Sequence, residues 1–204
     1  MQSSPTPPAE QVLTVPEPNL RPYLSHGFFR DNRDAILLAV GEHTTFLERA
    51  KAEEDPTHKQ IIPYVVVMHE EKILAYRRTP QSGEARLHNK YSIGFGGHIN
   101  DLDGLEAENT NRLFSGMIRE LNEEVFLPGL LSVELIGFLN DDSNPVGRVH
   151  FGMVFAARLT DPTHQVNEPD LIEASWMTPA ALRELPGELE TWSALLLEGY
   201  FSDC

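Results

Sequence analysis

The stretch Arg119-Glu120-Leu121-Asn122-Glu123-Glu124-Val125-Phe126-Leu127-Pro128 decides the reading of this chain, because it sets carboxylates and apolar residues on separate arcs of one helix. Working back from it, Leu113, Met117, Leu121 and Val125 recur at i+4, with Phe114 and Ile118 beside them. That spacing predicts a helix over Arg112–Phe126 with a core-facing stripe. At about 100° per residue, Arg119, Glu120, Glu123 and Glu124 fall on a separate arc of about 140°. Four charges on one arc are commonly a solvated face, whose i,i+3 and i,i+4 pairs contribute a few tenths of a kcal/mol each. Here three carboxylates crowd together with only Arg119 near enough to offset them, which is unfavourable unless a cation neutralises the charge. Three oxygen donors on one rigid helix suit Mg²⁺ or Mn²⁺, hard ions that take carboxylates, carbonyls and water.

The flanks of this helix read as strands. Ile61–Arg78 carries two β-branched or aromatic runs around the polar tip Glu70-Glu71-Lys72, as in a hairpin. A polar loop leads to Tyr91–Gly97, a short strand ending on Gly94-Phe95-Gly96-Gly97, where backbone can approach an ion or phosphate without an intervening Cβ. Beyond the helix, Leu130–Asn140 and Val149–Leu159 read as strands split by the turn-like Asp141–Arg148. A strand ends near Trp176, Thr178 can cap and Pro179 open a helix, and Glu188–Phe201 makes an amphipathic final helix. The expected architecture is α/β, with strands on both sides of the acidic helix. Residues 1–19, with five prolines among Ser, Thr and Glu, are expected to be a disordered tail. Residues 20–60 are expected to form a helical extension, its two pieces broken near Gly41 and ended before Pro56, and residues 61–204 the main domain.

Charge and cysteine usage bound the function. Sixteen basic against 31 acidic side chains give a formal charge of -15, which repels a nucleic acid polymer. A small phosphorylated metabolite is not excluded, since a carboxylate-held cation reverses the local field. Cys204, the only cysteine, allows neither an internal disulfide nor a multi-cysteine zinc site, which suits a reducing cytoplasm. With no run of about 20 apolar residues and no basic-then-apolar leader, no membrane association is expected.

With these residues in view, the chain resembles the Nudix hydrolases, of the MutT-like kind. Their box, G-x5-E-x7-R-E-U-x-E-E-x-G-U with U a bulky apolar residue, matches at six of the seven specified positions of its second half, Arg119 to Leu127. Phe126 stands where the family has glycine. If Gly97 is the box glycine, the loop His98–Asn111 is enlarged by about eight residues; strict counting puts Asn111 at the first glutamate, and Glu106 or Glu108 could substitute. The resemblance covers about Ile61 to Phe201 and implies a Nudix-type α/β/α sandwich around a central mixed β-sheet.

It also implies metal-dependent hydrolysis of a phosphoanhydride in a nucleoside diphosphate derivative or similar small organic pyrophosphate. Glu120, Glu123 and Glu124 would hold Mg²⁺ or Mn²⁺ with the Gly97 carbonyl, and Arg119 would orient the glutamates. The general base would be Glu120, Glu168 or Glu173. From the residues themselves, Arg77, Arg78 and Lys90 could meet phosphate, Tyr76 or Tyr91 could stack on a base, and exposed strand edges explain them equally well. His98 reads as a hydrogen-bonding neighbour of the site rather than a catalytic group. Relatives often pair, so a homodimer stays open. The isopentenyl-diphosphate isomerases of the same fold use an active-site cysteine, for which the terminal Cys204 is poorly placed. A dinucleotide fingerprint, a P-loop and a zinc-helix motif are all missing. The rival reading is a noncatalytic Nudix-fold module that binds a nucleotide or a protein.

Overall fold

A computed structural model describes residues 9–78, 90–105, 111–167, 172–185 and 187–202. In chain order its elements begin with β1 (Gln11–Pro16), α1 (Glu17–Leu20), β2 (Gly27–Phe29), α2 (Arg33–His43), β3 (Thr45–Glu48) and α3 (Arg49–Ala52). The central part follows as β4 (His58–His69), β5 (Lys72–Arg78), β6 (Tyr91–Ser92), α4 (Arg112–Glu124), β7 (Val125–Phe126) and β8 (Leu130–Asn140). Last come α5 (Pro145–Val149), β9 (His150–Leu159), β10 (Gln165–Val166), β11 (Ile172–Met177), α6 (Pro179–Arg183) and α7 (Thr191–Gly199).

Among the described residues nine strands form one mixed sheet with the path β11-β5-β4-β9-β8-β2; β4 and β9 run parallel and the other pairs antiparallel. Alternation along β4 sorts the core into two layers, as a strand buried on both faces requires. Ile61, Val65 and Val67 pack with Met117 and Leu121 of α4 and with Ile36 of α2, whereas Tyr64 and Val66 pack with Leu182, Leu196 and Leu197 of α6 and α7. The result is an α/β/α sandwich around a mixed sheet.

The acidic helix forms where the periodicity places it. Asn111 Oδ1 accepts from Leu113 N at 3.0 Å and caps its start. Met117 and Leu121 are buried, and each such side chain stabilises by about 1.5–3 kcal/mol. The helix stops two residues short of the predicted Phe126: Val125 turns extended, and Val125–Phe126 pair with Gln165–Val166. Phe114, expected in the stripe, is instead exposed. Downstream, Thr178 Oγ1 accepts from Ala181 N, so the predicted cap stands. Asp141–Arg148, read as a turn, leads into the short helix α5, which also takes in Val149, read as the start of the next strand.

The N-terminal expectation needs correction. Gln11–Pro16 is a strand within the main sheet, paired with β3 and β4, and its Leu13 and Val15 are core residues. The prolines mislead because they bracket the β-prone run Val12-Leu13-Thr14-Val15; Pro16 takes the last strand position, where a missing donor disturbs the ladder least. Residues 20–60 are not purely helical either. α2 runs through Gly41 to His43, and Phe46 and Leu47, read as helical, lie in β3. Backbone Leu13 N also donates to Ile99 O at 2.8 Å, so this first strand is tied to the segment just after Gly97. No helix among the described residues is long and apolar enough to cross a membrane.

Candidate functional site

Gly94–Gly97 closes against β4 through paired backbone hydrogen bonds between Val65 and Phe95, at 2.7 and 2.9 Å. Gly96 has φ +148°, and a Cβ there would lie 1.9 Å from Pro63 O, so no other residue fits. At Gly97 a Cβ would stand 2.3 Å from Glu120 Oε2. Glycine therefore brings backbone and carboxylate together where a side chain would part them.

Arg119 organises the acidic arc. Its Nε and Nη2 donate to Asp103 Oδ1 and Oδ2 at 2.8 and 2.9 Å, a bidentate pair. Nη2 also donates to His98 O at 2.8 Å, while Nη1 donates to Glu120 Oε1 at 2.7 Å and Glu123 Oε1 at 3.3 Å. The hydrogen bond to Asp103 leads in raising the Arg119 pKa well above its ordinary value. Burial pulls the Asp103 carboxyl up, but the hydrogen bonds from Arg119 and from the Asn100 backbone outweigh it and hold the group below the usual range. At Glu120 burial wins, and its pKa is raised despite the hydrogen bond from Arg119. Glu123 is exposed; Glu124 is half-buried, with Oε2 shut off from solvent.

Of these groups Glu120 borders a cavity of about 450 Å³, which Gly94, Gly96, Gly97, Lys90 and Tyr76, among others, also line. Of the expected phosphate-binding cations, Lys90, also 3.3 Å from Glu188, lines it. Arg77 instead pairs across the sheet with Glu173 at 2.8 Å, and the Arg78 side chain lies outside the described residues, as do Glu106, Glu108 and Glu168. Tyr76 is buried in the wall, its hydroxyl donating to Gly94 O at 2.9 Å and its ring 4.8 Å from Phe95; the half-buried Tyr91 does not line the cavity. The Gly97 carbonyl, Glu120, Glu123 and Glu124 supply only oxygen donors, the set that a hard divalent cation takes.

Sequence reasoning missed other residues of the site and of the cavity wall. Asp103, which holds Arg119 without itself lining the cavity, arrives from the enlarged loop, and a turn in which its Oδ2 accepts from Asn100 N announces it only weakly. Arg49 and Glu53 come from the N-terminal extension; Asp141, Asn144 and His150 come from the β8–β9 connection. That connection is held by Lys59, a fully buried cation donating to Asn140 Oδ1, Asp142 Oδ1 and Gly147 O at 2.9, 2.6 and 2.9 Å. Trp192 adds an aromatic face, packed edge-on against Tyr64, whose hydroxyl donates to Glu190 at 2.7 Å. His98 lines the cavity too, and burial, followed by the nearby Arg49 charge, pushes its pKa down to about 3, so the ring is neutral near pH 7.

Comparison with known proteins bears on the family and the fold. Residues 58–199 match the NUDIX domain family. The chain is 39% identical over 177 residues to Protein YmaB of Bacillus subtilis (strain 168), an alignment covering 84% of this chain and 85% of that one. It resembles the crystal structure of Tm1382, a protein assigned as a Nudix hydrolase, with TM-score 0.78 and 31% identity over 95% of this chain and 99% of that one. The crystal structure of DR0079 from Deinococcus radiodurans shares the fold, with TM-score 0.50 and 18% identity over 85% and 97% of the two chains.

Proposed function

The chain belongs to the NUDIX family and is a pyrophosphohydrolase, and from that premise we propose that it cleaves a phosphoanhydride in a nucleoside diphosphate derivative or similar small organic pyrophosphate, with Mg²⁺ or Mn²⁺ as cofactor. One observation carries the reading: the Gly97 backbone lies so close to Glu120 that a Cβ would collide with the carboxylate, and Arg119 fixes Glu120 and Glu123 beside it. Glu120, Glu123, Glu124 and the Gly97 carbonyl would hold the cation, which neutralises the diphosphate and lowers the pKa of water.

The protein's own groups divide the remaining work. Arg119 bonds to Asp103, His98 O, Glu120 and Glu123, which commits its donors to holding carboxylates in place rather than to substrate. Lys90 is positioned to meet a phosphate oxygen, and Trp192 offers an apolar face to the organic part of the substrate. Of the candidate proton acceptors, Glu120 has the position for it, since it lines the cavity; Glu168 is the alternative. The acidic surface of the molecule favours a small substrate over a nucleic acid polymer.

The test is product release from a panel of nucleoside di- and triphosphates, nucleotide sugars and dinucleoside polyphosphates, with Mg²⁺, Mn²⁺ or EDTA. We expect turnover of at least one class that stops in EDTA and returns with metal. Turnover indifferent to EDTA would overturn the metal-dependent reading, and no turnover on any compound would overturn the substrate class.

A further inference from the structure

We infer that Glu53, His98 and His150 form a second metal site in the same cavity, suited to a borderline divalent ion such as Zn²⁺ and distinct from the all-oxygen site on α4. One ligand atom from each of the three residues lies within 4.8 Å of the other two. His98 Nε2 stands 3.4 Å from His150 Nε2 and 3.8 Å from Glu53 Oε1. Two nitrogens each about 2.0–2.1 Å from one tetrahedral zinc ion are about 3.4 Å apart, so the imidazole pair already has the required separation.

Tautomer chemistry points the same way. His150 Nδ1 is 2.8 Å from Val146 O, and a carbonyl only accepts, so Nδ1 carries a proton and, in the neutral ring, Nε2 presents its lone pair toward His98. A metal-bound histidine is commonly oriented by a hydrogen bond of this kind from its other nitrogen. Each ligand is fixed by its own element. Lys59 holds the β8–β9 connection that carries His150, the hydrogen bond from Arg119 to His98 O fixes the backbone of His98, and Glu53 caps the end of α3, whose start is tied to Glu10 through Arg49 N.

Imidazole nitrogens favour Zn²⁺ and its neighbours over Mg²⁺, whereas the carboxylate and carbonyl set around Glu120 has the opposite preference. All three residues line the cavity, and three protein ligands would leave a fourth tetrahedral position for a water or an anionic substrate oxygen. The assignment does not depend on which pyrophosphate is cleaved, because it is read out by metal binding alone.

The experiment is a titration of the metal-stripped full chain with Co²⁺, followed by its visible absorption and then by displacement with Zn²⁺. We expect one equivalent of Co²⁺ to give a visible band that Zn²⁺ removes and excess Mg²⁺ does not. In Glu53→Gln and His150→Asn the affinity should fall at least about tenfold, and in Glu120→Gln/Glu123→Gln/Glu124→Gln the band should persist. No band in the parent chain, a band unchanged in Glu53→Gln, or a band lost in the triple variant would each overturn the site. Circular dichroism verifies folding; should His150→Asn not fold, the exposed Glu53→Gln carries the test.

Discussion

The acidic arc of α4 reaches the cavity through Glu120, and the Glu53–His98–His150 cluster lines the same cavity, yet the chain encodes arc and cluster in opposite ways. Arg119, Glu120, Glu123 and Glu124 lie within six residues on one helix, so helical period alone sets their spacing. Glu53, His98 and His150 come from an N-terminal extension, a glycine turn and the first residue of β9, and only the sheet brings them together. A contiguous constellation can be read before folding; a dispersed one exists only once β1 and β4 have positioned their neighbours. The two should therefore fail differently when disturbed, and the largest difference lies in turnover. Glu120→Gln and Glu124→Gln should each lower kcat by about 10²–10⁴-fold with little change in the unfolding midpoint. Retention of kcat in both, measured at saturating metal, would break the assignment of chemistry to the helix.

Arg119 tests whether the arc is as self-sufficient as its contiguity suggests. Asp103, from the enlarged loop, is 7% exposed, and Arg119→Ala would leave its carboxylate without that bidentate partner. Removing one member of such a pair strands a charge, and because the Arg119 side chain is itself 29% exposed we expect less than the roughly 3–5 kcal/mol of a fully buried pair, a loss of about 2–3 kcal/mol in denaturant unfolding. A loss below about 0.5 kcal/mol would mean that Asp103 contributes nothing to the arc. A smaller effect is expected from Gly97→Ala. The added methyl would displace the Glu120 carboxylate while leaving the core untouched, and kcat should fall about 10–100-fold at nearly unchanged stability. An unaltered kcat would separate the glycine turn from the carboxylates.

The same contrast explains what was legible in the sequence. The strands on both sides of α4 could be expected from apolar runs such as Val65–Val67 and Phe151–Phe155, because a strand buried on both faces and an amphipathic helix leave different patterns. β1 was hidden because proline content was averaged over residues 1–19, although the prolines only flank Gln11–Val15. Around the site, the box carried its own spacing, whereas Asp103 behind Arg119 and the cavity residues Glu53 and His150 had none to offer. Lys59 could not have been singled out either: its role rests on acceptors at Asn140, Asp142 and Gly147, more than 80 positions away.

Glu173 gives the smallest expected effect and the sharpest test of that distinction. As a carboxylate from a late strand, it is the kind of dispersed group that could take the proton of the attacking water. The structure places it on β11, hydrogen-bonded to Arg77 on β5 at 2.8 Å, with the Glu173 side chain exposed, that of Arg77 partly so, and neither lining the cavity. Exposed pairs of this kind are screened by water and salt and contribute little to stability. Glu173→Gln should accordingly leave kcat within about twofold of the parent, far below the 10²–10⁴-fold loss expected of a general base, with no measurable shift in the unfolding midpoint. A tenfold or greater fall in kcat, with KM unchanged and the alkaline limb of the pH–rate profile retained, would bring β11 into the reaction. The chemistry would then be shared between the contiguous arc and a strand outside it, and the division between a legible catalytic helix and a dispersed second site would no longer hold.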